Sequence, residues 1–215
     1  MLKKGRDKCL KICLIGPGSI SFYCREVLKK SEEEVLREID GIAKILASKN
    51  VELMLLPDRG LPLELAIKFK KYGGKKVIGL VPLSDKEIGI EHIKKYLDVE
   101  VDSKKLFDEL IDTGDWYKHN IVMTVWSDVV LILGLTPSVE GELGFAIRRK
   151  FIEKKVRVNE RIPLTFVLYR PLCITQRLFK EVETYAEKKL GRRIIYINSK
   201  EELTELVDKL IEEIS

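Results

Sequence analysis

The sequence predicts an α/β fold: an open parallel sheet of about six strands with helices on both faces. Three observations carry this. Short continuous apolar runs alternate with stretches of helical periodicity along the chain. The runs are apolar at successive positions, as strands covered on both faces must be. Several helices are announced by capping signals just after a turn.

Residues 11–15 are an apolar run ending in Gly16-Pro17-Gly18, a buried strand entering a turn. Ser31 and Glu34 form a capping box: the Ser31 oxygen accepts from the third helical N–H, and Glu34 reaches back. The helix behind it puts Val35, Leu36, Ile39, Ile42, Ala43 and Leu46 on one face. Residues 51–56 are the second strand, stopped by Pro57. Gly60 opens the next helix, with Pro62 in the first turn, where an N–H is spare anyway; Gly73 and Gly74 end it. Residues 76–81 are the third strand, closed by Pro82.

Between residues 83 and 114 the pattern predicts a helix over 85–97, a short edge strand at Val99 and Val101, and another helix over 103–111. Gly114-Asp115 caps a helix over 116–126, and residues 129–133 form a strand ending at Gly134. A helix is expected over residues 139–154 and a strand over 164–169. Leu178, Phe179, Val182, Tyr185, Ala186 and Leu190 make a helical stripe closed by Gly191. Residues 194–197 are the last strand. Ser199 and Glu202 form a second capping box, and Leu203, Leu206, Val207, Leu210 and Ile211 follow at helical spacing. With no linker rich in Gly, Pro or Ser and no internal repeat, residues 1–215 read as a single domain.

The chain has 215 residues, 45% apolar and 34% charged, which excludes a disordered chain. Its longest apolar stretches, 51–57 and 129–135, are about a third of the ~20 residues that a membrane helix needs. Residues 1–8 are basic, but the apolar run behind them stops at Gly16, too short for a signal-peptide core and cleavage site. A cytoplasmic protein is expected. The net charge of +5, from 39 basic and 34 acidic residues, suits an anionic ligand but argues only weakly for nucleic acid. Cys9, Cys13, Cys24 and Cys173 have no paired spacing, and the only histidines are His92 and His119. That argues against a Cys/His zinc site and for reduced thiols; no metal and no resident cofactor are expected. Abundant Lys and Glu with a single glutamine, Gln176, lean towards a thermophile.

The alternation of elements gives a Rossmann-like strand order of 3-2-1-4-5-6, with the ligand crevice where the winding reverses. That point lies between the loops after the first and fourth strands. One loop contributes Gly16, Gly18 and Ser19; the other contributes Gly134, Thr136, Ser138 and Gly141. Glycines let a backbone approach phosphate, and a helix N-terminus supplies free N–H donors. Ser138 is read as the N-cap, with Gly141 in the first turn. The first loop departs from G-x-G-x-x-G, since its third position is Ser21. Asp58 stands 40 residues beyond Gly18. The ribose-binding acid of nicotinamide enzymes lies ~20 on, which disfavours a dehydrogenase.

Asp128 to Gly134, followed by a Gly/Ser/Thr turn and Glu142-Leu143 on a helix, resembles the SLOG superfamily. That group includes the LOG phosphoribohydrolases, molybdenum cofactor carriers and nucleotide-sensing domains. The similarity extends to the Gly16-Pro17-Gly18-Ser19 loop, residues 74–82 and residues 194–211. LOG enzymes carry a PGGxGTxxE motif and an upstream Arg-Lys pair. By resemblance, Glu142 keeps the motif carboxylate, Ser138-Val139 replace the Gly-Thr pair, and Leu135-Thr136 replace the double glycine. His119 and Asn120 replace the Arg-Lys pair. An imidazole is not a permanent bidentate fork, so the pattern sits closer to the carrier and uncharacterised branches. The resemblance also implies that Arg59 and Gly60 line the pocket. It further implies a homo-oligomer paired through the helices at residues 116–126 and 139 onwards.

Three functions follow in order of preference. The first is binding of a nucleotide or related phosphorylated small molecule, as a carrier or sensor. The second is a nucleotide N-glycosidase releasing a free base, with Glu142 and His119 as catalytic groups. In that role a Glu142 held ionised by the helix dipole would stabilise positive ribosyl charge. The third is a nucleic-acid-associated module using Arg148, Arg149, Lys150, Lys154, Lys155 and Arg157, a cluster otherwise read as a solvated face. His92 is read as a surface residue, and Trp116, Tyr117 and Trp126 as core or subunit contact.

Overall fold

The computed structural model describes residues 9–148 and 162–215. The chain begins with β1 (Leu10–Ile15). A short helix, α1 (Ile20–Phe22), widens into a π-helical turn over Tyr23–Leu28. Then come α2 (Glu32–Ala47), β2 (Val51–Leu55), α3 (Leu61–Lys71), β3 (Lys76–Val81) and α4 (Glu91–Leu97). A hairpin pairs β4 (Glu100–Val101) with β5 (Lys104–Lys105), and β6 (Glu109–Asp112) follows. The rest of the fold is α5 (Trp116–Val125), β7 (Val129–Ile132), α6 (Pro137–Arg148), β8 (Thr165–Tyr169), α7 (Lys180–Thr184), β9 (Arg193–Ile197) and α8 (Lys200–Ile214). The expected extension of α6 beyond residue 148, and the basic residues 149–157, lie outside the described residues.

Every pairing in the main sheet is parallel, in the order β6-β3-β2-β1-β7-β8-β9. The order expected from the sequence runs from β3 through β1 to β9. The sheet has seven strands rather than six, because β6 adds to the edge beyond β3. Residues 103–111 are therefore not a helix. Asp102 and Ser103 take φ of 49° and 62°, the backbone of a tight hairpin turn, and set β5 antiparallel to β4. Leu106 and Phe107 then enter the core, and Asp108 accepts the Val77 N–H at 2.7 Å, fastening the start of β6 to β3. The helix expected over 85–97 is confined to α4. Its first half is a turn held by the Asp85 carboxylate, which accepts from the N–H groups of Glu87, Ile88 and Gly89.

Alternate strand residues feed two cores. Leu10, Ile12 and Leu14 pack into the layer of α2, α3 and α8, whereas Cys13 and Ile15 join Met123, Val139 and Leu143 of α5 and α6. The box at Ser31 forms as expected: Glu34 N–H donates to Ser31 Oγ, and the Glu34 carboxylate accepts the Ser31 N–H. At Ser199 only the cap forms: Glu202 N–H donates to Ser199 Oγ, while the Glu202 carboxylate accepts from Asn198 N–H instead. In the stripe before Gly191, Val182 and Ala186 pack inwards, but Phe179 and Tyr185 are exposed. Asp128 locks the start of the central pair, its carboxylate accepting the Lys11 N–H at 2.9 Å. Tyr169 is fully buried and donates to Glu38 at 2.7 Å, tying β8 to α2.

Two glycines set the loops at the carboxyl edge of the sheet. Gly60 has φ 118°, and a Cβ there would stand 2.2 Å from the Pro17 carbonyl oxygen. The adjacent Leu61 N–H donates to that same oxygen at 3.0 Å. Gly134 has φ 141° and lies against the Tyr23 hydroxyl, which donates to Leu172 O and accepts from Leu135 N–H. Replacing Gly60 tests the first contact. Gly60→Ala adds a backbone clash to an unfavourable φ and should cost about 3 kcal/mol or more in urea unfolding. Gly73→Ala, at φ 79° with nothing within 4 Å of its Cβ, should cost about 1–2 kcal/mol. Equal losses for the two variants would refute the close approach.

Candidate functional site

A cleft of about 440 Å³ opens above the carboxyl ends of β1 and β2. One wall is backbone and loop: Gly16 and Gly18 after β1, then Leu56, Asp58 and Arg59 after β2. The other wall is helical. Trp116, Asn120 and Met123 stand at i, i+4 and i+7 on α5. Ser138, Gly141, Glu142 and Phe145 share one face of α6. His92, from the first turn of α4, completes the rim.

The structure thus brings Gly16, Gly18, Arg59, Asn120, Ser138, Gly141 and Glu142 to one cleft, from four different parts of the sequence. It places the other named residues outside the lining. Ser19 is exposed beside Gly18 and starts α1. Gly60 and Gly134 are the packed turns described above. Thr136, not Ser138, caps α6: its hydroxyl accepts the Val139 N–H at 3.3 Å and its carbonyl the Glu140 N–H. The helix begins two residues earlier than expected because Pro137 suits a first helical position.

That shift bears on Glu142. It stands beyond the first turn of α6, where the helix dipole has faded. The carboxyl is half-buried over the buried Cys13, and burial pushes its pKa up to about 7. The expectation of a low pKa is therefore overturned: desolvation outweighs the dipole, and near neutral pH the group holds and releases a proton. Its nearness likewise pushes the Cys13 thiol upward, with burial the larger cause.

His119 is 1% exposed and lies behind the cleft wall rather than in it. Its Nδ1 is 3.2 Å from the Thr113 hydroxyl, and Nε2 has no hydrogen-bond partner among the described residues. Burial lowers its pKa to about 4, so it is neutral at pH 7 and carries no charge towards a phosphate. The histidine in the cleft is His92, read from the sequence as a surface residue. It is solvent-exposed yet stacks on Trp116, with ring centroids 5.4 Å apart and planes 22° apart. Trp116 is likewise a cleft residue rather than core. The i, i+4 spacing from Asn120 was the available signal for it; His92 had none. Tyr117 meets the cleft residue Phe145 edge to face at 5.5 Å, joining α5 to α6, and Trp126 is exposed.

Among the described residues no group of three His, Cys, Asp or Glu side chains could hold a metal ion, and no helix is long and apolar enough to cross a membrane. All four cysteines are buried.

By sequence the chain matches no protein-family description and no curated protein. Its fold matches solved structures. One is the molybdenum cofactor carrier protein of Chlamydomonas reinhardtii, with TM-score 0.58 and 16% identity, covering 95% of this chain and 99% of that one. Another is the molybdenum cofactor binding protein of the phototrophic bacterium Rippkaea orientalis, with TM-score 0.57 and 16% identity over 94% and 98% of the two chains. A third is the structural-genomics target TM1055, with TM-score 0.62 and 17% identity over 93% and 99%. At these identities the likeness is one of fold, and the chain has the Rossmann-like open α/β architecture of these proteins.

Proposed function

We propose that the cleft holds a nucleotide or related phosphorylated small molecule, as a carrier or sensor of the SLOG type. One observation carries the reading: the Gly16–Gly18 turn and the first turns of α6 line the same cleft. Backbone N–H groups and the positive end of a twelve-residue helix suit an anion there. Arg59 adds a cation on the opposite lip. Holding is preferred to turnover for two reasons. The residue standing where LOG enzymes carry Arg is the buried, neutral His119. Two proteins of the same fold are a cofactor carrier and a cofactor binding protein.

The second reading is hydrolysis of an N-glycosidic bond, favoured by a cleft carboxyl with pKa near 7. In that reaction the C1′–N bond breaks, a water oxygen joins C1′, and a water proton passes through Glu142 to the departing base. Under this reading Glu142 acts as a proton shuttle rather than as a fixed anion.

The glycines give the cleanest test of binding. A Cβ on Gly141 meets nothing within 4 Å, and one on Gly18 meets only Arg59 O at 3.6 Å. Valine at either position leaves the fold intact and fills space that a phosphate would occupy. Each variant should weaken nucleoside monophosphate binding by about tenfold or more in calorimetry, at unchanged unfolding midpoint. Full affinity in both variants would reject the shared site.

Glu142→Gln separates the two readings. A hydrolase should lose about 10²-fold in release of free base; a carrier should release no base even as wild type. The same variant reports the carboxyl's protonation through stability. The folded carboxyl keeps its proton up to about 7 whereas the unfolded one releases it near 4.5, so ionisation destabilises the wild type as pH rises between those values. His119, lowered to about 4 from 6.5, gives the opposite slope, with stability lost as pH falls through that window. Glu142→Gln should therefore gain stability over wild type at about pH 8, and the gain should shrink towards about pH 5. A gain independent of pH would refute the raised pKa.

A further inference from the structure

Trp116 is held by two hydrogen bonds and two ring contacts. Its backbone N–H donates to Asp85 Oδ2 at 3.2 Å, and its indole N–H to Gly89 O at 2.9 Å. The His119 ring meets it edge-on at 5.6 Å and 69°. His92 stacks on it, and both rings line the cleft. An aromatic pair that merely filled core would be buried; here His92 is exposed and Trp116 partly so. One turn along α5 from Trp116, Asn120 lines the same wall with an amide that both donates and accepts. Gly16, Gly18 and Ser138 occupy other parts of the lining.

We propose that the ligand carries a planar heteroaromatic ring that lies on the Trp116–His92 pair, with its edge read by Asn120. This deepens the binding reading above and rests on it: the anionic group occupies the glycine turn, and the ring occupies the aromatic wall. Stacking tolerates any flat π-face and supplies affinity, while a side-chain amide matches the adjacent donor and acceptor of a nucleobase edge. The ligand class is therefore a nucleoside phosphate, rather than a sugar phosphate or an inorganic anion.

The chain has two tryptophans, and Trp126, 44% exposed at the end of α5, lies outside the cleft. In a Trp126→Phe background the indole fluorescence therefore reports Trp116 alone. The probes are the four common nucleoside monophosphates, ribose 5-phosphate and inorganic phosphate. At least one nucleotide should quench this fluorescence and bind about tenfold tighter than ribose 5-phosphate. Trp116→Ala should bring that nucleotide down to the affinity of ribose 5-phosphate, leaving ribose 5-phosphate unchanged. Trp116→Phe should keep most of the difference. His92→Ala, at an exposed position, should lose part of it without loss of stability. Equal affinity for all nucleotides and ribose 5-phosphate, without quenching, overturns the ring proposal and leaves the anion site standing. No binding by any probe overturns both.

Discussion

The backbone of Gly60 lies against the backbone of Pro17 and Gly18, closer than any side chain would permit. This contact joins the loops after β1 and β2, and the Leu61 N–H to Pro17 O bond seals it. Gly16 extends the same packing, since a Cβ there would stand 3.1 Å from Leu133 Cβ and 3.5 Å from Pro62. The ends of β1, β2 and β7 therefore meet with little side-chain volume between them, and the cleft opens above this packed floor. Tyr23 holds the remaining side, its hydroxyl bridging Leu172 O and Leu135 N–H so that the loop into α6 cannot drift.

The same close packing governs the ionisable groups. Glu142 looks into a site with Cys13 beneath it, and burial outweighs the dipole of a helix that began five residues earlier. His119, one turn from Trp116, is sealed behind the wall and loses its charge for the same reason. Desolvation favours the neutral form of both, so the acid and the base shift in opposite directions. The side-chain charge left in the cleft lining is that of Asp58 and Arg59, on the β2 side.

How much of this was readable in the sequence depends on how local each cause is. The capping box at Ser31 and the N-cap at Ser199 are read correctly because both partners lie within four residues, although the Glu202 carboxylate turns to Asn198 and leaves the second box half made. The strand order from β3 to β9 follows from alternation alone, as does the pairing of the Gly16 and Ser138 loops at the reversal point. The segment before α5 misleads because its hairpin turn uses Asp102 and Ser103 rather than glycine. Its strand β6 is an edge strand whose Leu110 is 43% exposed, so it lacks the apolar run of a central strand. The protonation of Glu142 and the retreat of His119 depend on what is packed around them. His92 reaches the cleft from the first turn of α4, behind a loop that Asp85 folds, a placement outside the reach of local pattern.

The proposed binding requires that loops from separate parts of the chain, clamped at Gly60, act as one cleft. The most direct measurement is the backbone amide spectrum of the intact protein titrated with a nucleoside monophosphate. Amides of Gly16, Gly18 and Ser19, of residues 59–61 and of residues 138–142 should shift together and saturate with one dissociation constant. Shifts confined to one of these segments, or saturating at different concentrations, would contradict a single site built across the sheet.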